Sequence, residues 1–438
     1  MKTLTASALS GVLITAGTLL LPATAGAAET CHGLPATMIA SGAGVFTGTE
    51  GDDVIVADGG HLRIRALGGD DVVCLHDTQA VVEVEAGPGD DLVDASLSDT
   101  STVASLGLGA DTFAGGPGDD FVYGSAPEGL GEDGLNPPDT EPDAITTAGG
   151  KDQVFSGALG SANLDEISTG AGDDRVHLEG LDHATSMDVG SGRNTAIVTL
   201  GAAATTVWSV DLGRRTLGFD GQTSTWGGRL HRWYFTMAEG QAPSSLVFFG
   251  SKADDTAFVG GPGLVPQFRL GYGNDWAGSL TTPGGTFLLG PGLDRLTLGK
   301  YDSVHPGFPL PDLRVDLGAQ RASFGGIESA VRGVETLYAG AERVRALGST
   351  RGERIRANGC DVVVRGRAGW DLLERGDDVV SVCPDVSTLL VGGAGNDWLL
   401  GSNRTDDVLV GGPGFDRARG MRGTDICRTE VRRGCEAS

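Results

Sequence analysis

The chain has 438 residues, a formal net charge of −26 and 73 glycines. Glycine is at more than twice its usual ~7% share without a collagen period, so frequent sharp turns are implied. The charge disfavours a nucleic-acid or anionic-membrane partner and makes a cation the natural counterpart.

Residues 1–27 read as a secretory signal peptide. Lys2 is the charged start, Leu9 to Leu21 the apolar core and Ala25-Gly26-Ala27 the cleavage site. No later stretch approaches the ~18 apolar residues of a spanning helix, so the mature chain is expected to be soluble and secreted, extracellular, with no membrane span. Export makes the 6 cysteines candidates for disulfides. Pairing Cys31 with Cys74, Cys360 with Cys383 and Cys427 with Cys435 would clamp the two ends, although other pairings are open.

From residue 48 a nine-residue pattern recurs, with glycine fourth, aspartate sixth and a large apolar residue near the eighth position. Its clear copies begin at GTEGDDVIV (48–56), ALGGDDVVC (66–74), AGPGDDLVD (86–94), LGLGADTFA (106–114) and GGPGDDFVY (115–123). TAGGKDQVF (147–155) and TGAGDDRVH (169–177) follow, and near the C-terminus come GGAGNDWLL (392–400), GGPGFDRAR (411–419) and GMRGTDICR (420–428). In these copies the chain resembles the RTX, or haemolysin-type, calcium-binding repeat family. The resemblance implies calcium ions held between adjacent coils by aspartate carboxylates and glycine-turn carbonyls.

The resulting candidate metal ligands are Gly51 and Asp53, Gly69 and Asp71, Gly89 and Asp91, Gly109 and Asp111, Gly118 and Asp120, Gly150 and Asp152, and Gly172 and Asp174. The second half adds Gly292 and Asp294, Gly369 and Asp371, Gly395 and Asp397, Gly414 and Asp416, and Gly423 and Asp425, with Asp378 and Asp407. No catalytic residue is assigned.

Spacing says where these residues face. Asp53, Asp71, Asp91 and Asp111 are 18, 20 and 20 residues apart, so they should stack as a ladder along one edge of a solenoid whose coil is strand, turn, strand, turn. The opposite edge, built from HLRIR, TQAVVEVE and TSTVAS, lacks the motif there. Asp120 falls on that opposite edge without a clear neighbour, just before an acidic inserted loop at about 124–145. Asp174 and the degenerate Asn194 resume the rhythm. Near the C-terminus Asp378, Asp397 and Asp416 are spaced by 19 and 19, and Asp407 and Asp425 lie half a coil away. Fifth-position acids such as Asp52 and Asp119 are expected to be solvated.

The middle is weaker. VDLGRRTLGFDG (210–221) and VDLGAQRASFGG (315–326) both read as strand, turn, strand, and worn turns surround Asp255, Asp275 and Glu353. Two modules are therefore expected in one continuous solenoid, 28–260 with the acidic loop and 261–438 with a disulfide-capped end. The fold class is all-β, a right-handed parallel β-roll or β-helix with little helix.

Calcium takes six to eight oxygens and accepts backbone carbonyls, which glycines at positive φ can aim inward. One turn offers too few oxygens, so an ion must be shared with the turn one coil away. The expected role is calcium binding in a secreted structural or adhesion-type protein whose partners are calcium ions and a cell-surface glycan or extracellular matrix. The alternative is a calcium-dependent lyase or epimerase acting on a polysaccharide, with His231 in RLHRWYF and Trp226 as its most site-like cluster. The signal peptide and cysteines depart from typical RTX proteins, so their one-step export route and toxin function are not carried over.

Overall fold

The computed structural model describes residues 29–436 apart from 77, 126–138, 159–162, 181–185, 202–205, 220–221, 239, 262, 281–283, 300–311, 377–382 and 384–385. The signal segment, Asp378 and most of the acidic loop lie outside the described residues.

The chain winds as a two-sided solenoid of short parallel strands, and the described residues contain no helix. One strand of each coil joins the sheet that begins Met38–Ala40, Val54–Ala57, Val72–His76, Leu92–Leu97. The other joins the sheet that begins Gly44–Thr47, Leu62–Arg65, Val82–Pro88, Thr102–Leu108. The register follows the repeat: the eighth position of each copy points inward and stacks on its counterpart one coil away. Ile55, Val73, Val93 and Phe113 form one such row, and Val84, Ala104, Val122 and Val154 face it from the second sheet. All eight are buried. Stiff β-branched side chains suit these narrow rows, because each strand is only a few residues long and must pack on both neighbours.

Among the described residues the sheets differ in strand number, 22 against 18, and two antiparallel detours account for the difference. In the first, Ser186–Asp188 pairs with Gln222–Gly227, which returns through Thr216–Phe219 to Val207–Asp211 before parallel pairing resumes on Ser244–Phe249. On the opposite sheet Asn194–Leu200 pairs directly with Leu230–Met237. Gly285–Leu288, Ile327–Arg332, Arg321–Phe324, Leu313–Asp316 and Arg343–Leu347 repeat the arrangement.

Each detour thus gives one wall two strands the other lacks, about 10 Å at the usual strand spacing. Larger side chains fill the interior beside the first. Trp208, Trp233, Phe235, Phe248, Phe268 and Phe287 are fully buried, with Trp226 against Trp233 at 5.0 Å between ring centroids. Of the aromatic group singled out around His231, Trp226, Trp233 and Phe235 are therefore core, with no face free for a sugar, whereas Tyr234 is exposed and His231 half-buried. Both sheets run through residue 260 without interruption.

Disulfides join Cys31 to Cys74, Cys360 to Cys383 and Cys427 to Cys435.

Candidate metal centre

The turns that precede the strands share one build. Their second position mostly takes positive φ, as at Gly87, Gly107, Gly290, Gly393 and Gly412, and the geometry holds even where the residue is Leu67, Ala148, Arg367 or Met421; Thr49 and Gly116 are exceptions. The fourth position is also left-handed at Gly69, Gly89, Gly109, Gly150, Gly369, Gly395, Gly414 and Gly423. At Gly118, Gly172 and Gly292 it is not, and glycine is required there because a Cβ would strike the backbone or the sixth-position carboxylate. Gly51 has neither constraint.

The sixth-position aspartates stack as spacing predicts. Asp71 Oδ1 accepts the Asp53 N–H at 2.7 Å, Asp91 that of Asp71 at 2.8 Å, and Asp111 that of Asp91 at 2.8 Å. The ladder then crosses the inserted loop: Asp143 accepts from Asp111 at 3.0 Å and Asp165 from Asp143 at 3.1 Å. Sequence reasoning passed over Asp143 and Asp165 because their turns lack the glycines; the surviving signal is the aspartate two residues before Ile145 or Ile167.

Asp120 does have a neighbour on the opposite edge. Asp152, 32 residues later, accepts its N–H at 2.8 Å, and Asp174 and Asn194 continue upward. The loop hides this contact by lengthening the chain without lengthening the coil stack. Below Asp120 the edge is built of hydroxyls, with Thr78 bonded to Ser98 at 2.5 Å.

The second half extends this edge. Asp275 accepts from Asp255 and Asp294 from Asp275, both at 2.9 Å, and Glu335 ends the run. Glu353, Asp371, Asp397 and Asp416 then stack through N–H to Oδ1 bonds of 2.8 to 2.9 Å, with Glu430 as the last acceptor. The rung beside Asp397 is Asp371, 26 residues back, where the 19-residue rhythm had pointed to Asp378. On the first edge Asp425 accepts from Asp407 at 2.9 Å.

Fifth-position acids form a second, outer ladder of opposite direction. Asp52 Oδ1 accepts the Asp70 N–H at 3.1 Å, and Asp119 that of Lys151 at 2.7 Å. They are exposed, as expected, but not merely solvated. In a turn such as Asp70-Asp71, one carboxylate grips the coil ahead and the other the coil behind.

The second oxygen of the inner aspartates separates two classes. At Asp152, Asp174 and Asp53 it accepts a threonine hydroxyl, from Thr147 at 2.6 Å, Thr169 at 2.8 Å and Thr49 at 3.0 Å. Asp407 takes the Ser402 N–H at 2.7 Å. In ten others, Asp71, Asp91, Asp111, Asp120, Asp275, Asp294, Asp371, Asp397, Asp416 and Asp425, Oδ2 is buried without a hydrogen-bond partner. The first two turn positions carry serine or threonine in the former class and residues without a hydroxyl in the latter.

An orphaned buried oxygen costs about 1–3 kcal/mol, more when charged. Burial, opposed by the ladder bonds and reinforced by neighbouring carboxylates, pushes the metal-free carboxyls up: Asp71 and Asp371 to about 7, Asp111 to about 8. Asp120, on the other edge, rises to about 7 and the newly placed Asp143 to about 9 for the same reasons.

The donor set suits a hard cation. The orphaned oxygens are carboxylate oxygens beside tightly turned, carbonyl-rich backbone, the ligand chemistry that calcium favours. His32, Cys74 and Asp94 also converge, but the Cys74 sulfur is in a disulfide and offers no thiolate.

Fold and site together define an all-β parallel β-roll with stacked glycine-aspartate turns. Four stretches, residues 40–74, 105–126, 388–403 and 402–430, match the RTX calcium-binding nonapeptide repeat family. The chain thus carries RTX-type calcium-binding repeats, and its disulfides fit an extracellular setting. No curated protein was found to match the chain. Among the described residues, no helix is long and apolar enough to cross a membrane.

Proposed function

We propose that this is a secreted structural or adhesion-type protein whose stacked turns hold calcium, and that the ion completes the fold. The ten orphaned carboxylate oxygens carry the reading. Asp71, Asp91, Asp111 and Asp120 would hold calcium in the first half and Asp275, Asp294, Asp371, Asp397, Asp416 and Asp425 in the second, with turn carbonyls completing each shell. Bound calcium would supply the positive charge that offsets carboxylate repulsion between coils. The chain's own part is to hold Oδ1 on the neighbouring N–H, so that Oδ2 is left for the ion. Because the unfolded chain has no such array, binding stabilises only the folded state.

The export signal, the glycan or matrix partner and the individual ligands belong to this proposal. Far-UV circular dichroism of the refolded mature chain should show β-structure and cooperative melting with calcium, and loss of both in chelator. An identical spectrum and melting temperature in the two conditions would sink the coupled-folding claim.

A further inference from the structure

Charge is divided unevenly along the solenoid. Residues 313–438 hold 18 basic and 18 acidic side chains, so the whole net charge of −26 lies before residue 313. Six of those acids, Glu353, Asp371, Asp397, Asp407, Asp416 and Asp425, are buried in the turns against one buried arginine, Arg375, so the outer surface there carries an excess of arginine.

The arginines gather where the second detour thickens the sheet. A groove of about 650 Å³ is lined by Arg314, Arg321, Arg345 and Arg365, with Asp316 and Glu328 as its acids. Asp316 is already held by Arg367 at 2.7 and 2.8 Å, and Arg345 is paired with Asp361. The side chains of Arg314 and Arg365 are exposed and make no hydrogen bond or ion pair among the described residues. Arg314 also stands directly opposite Arg345 on the neighbouring parallel strand. Like charges facing across a strand pair are unfavourable; Asp361 neutralises Arg345, and Arg314 has no acid of its own among the described residues. Val363 and Leu389 add an apolar floor.

We propose that this groove binds a linear acidic polysaccharide, with Arg314, Arg321 and Arg365 taking its carboxylate or sulfate groups and the apolar floor meeting the sugar rings. Planar guanidinium groups suit both anions through paired N–H bonds. A nucleic acid fits less well, because its dense charge would run into the field of the acidic two-thirds of the same solenoid. The inference names the partner class of the adhesion-type role and rests on that reading.

The test uses the full mature chain at one fixed calcium concentration, with binding to polygalacturonate, dextran sulfate, neutral dextran and a single-stranded oligonucleotide measured by surface plasmon resonance. Binding to at least one acidic polysaccharide, absent on neutral dextran and weakened by salt, is expected. The variant Arg314→Glu, Arg321→Glu, Arg365→Glu should lose at least about tenfold in affinity while keeping the calcium-dependent circular dichroism of the parent. Preference between polygalacturonate and dextran sulfate assigns carboxylate or sulfate. Unchanged affinity in the variant, equal binding to neutral dextran, or tighter binding to the oligonucleotide would overturn the proposal. Should chelator leave the spectrum unaltered, the calcium reading fails while the groove is still judged on the arginine variant.

Discussion

A carboxylate oxygen buried without a donor must take a proton or a cation, and this makes the metal-free chain sensitive to pH in an unusual direction. The folded carboxyls of Asp71, Asp111 and Asp120 titrate near 7 to 8, above the ordinary aspartate value of 3.8. A group raised on folding contributes stability below its unfolded value and loses it as pH rises through the folded one. The chelated chain should therefore grow more stable as pH falls from about 8 towards 4, whereas many proteins lose stability over that range. Calcium needs the ionised form, so its stabilising effect should fade over the same interval. Chemical denaturation in chelator and in calcium at several pH values checks both slopes; a chelated chain most stable at pH 8 would contradict the burial argument. Asp53 behaves oppositely: burial raises its carboxyl, but the Thr49 N–H and hydroxyl outweigh that and hold it low.

At the scale of the turn, steric demands separate glycines that look equivalent in sequence. A Cβ on Gly107 would run into the carbonyl of Gly87 one coil back, and the residue sits at φ 126°, so Gly107→Ala should destabilise by several kcal/mol. Ala148 already bears a side chain in a left-handed turn, at φ 64°. Ala148→Gly should therefore stabilise, by roughly 1 kcal/mol. Urea titrations in calcium decide the pair; equal effects of one sign would show that the shared turn build does not govern them. The repeat was legible because each turn is local, with glycine, aspartate and inward residue all within nine positions. Asp143 and Asp165 were less legible because their contacts depend on which coil lies beneath. The detours were readable as strand, turn, strand, and such short turns already dictate antiparallel pairing; which coils their outer strands then join in parallel is fixed by distant partners, which no local pattern encodes.

Across the whole molecule each coil touches only the coils before and after it, so stability should be a sum of neighbouring contacts rather than one cooperative core. The aspartate ladders follow the same rule, since every inner carboxylate bonds to the adjacent coil and no farther. The first-edge ladder from Asp53 to Asp165 and the second-edge ladder from Glu353 to Glu430 lie on opposite sides of the detours, and between them the separate run Asp255, Asp275, Asp294 and Glu335 stacks beside the aromatic core. Removing Asp71 and Asp91 together should therefore melt the coils between the Cys31–Cys74 clamp and the inserted loop, and leave the coils around Asp397 and Asp416 intact. Hydrogen exchange of the Asp71→Ala, Asp91→Ala chain in calcium resolves the two regions. Faster exchange confined to residues 50–110, with calcium lost from that end alone, is the expected result. Equal loss of protection at both ends would mean that the detours transmit strain, and that the solenoid behaves as one cooperative unit.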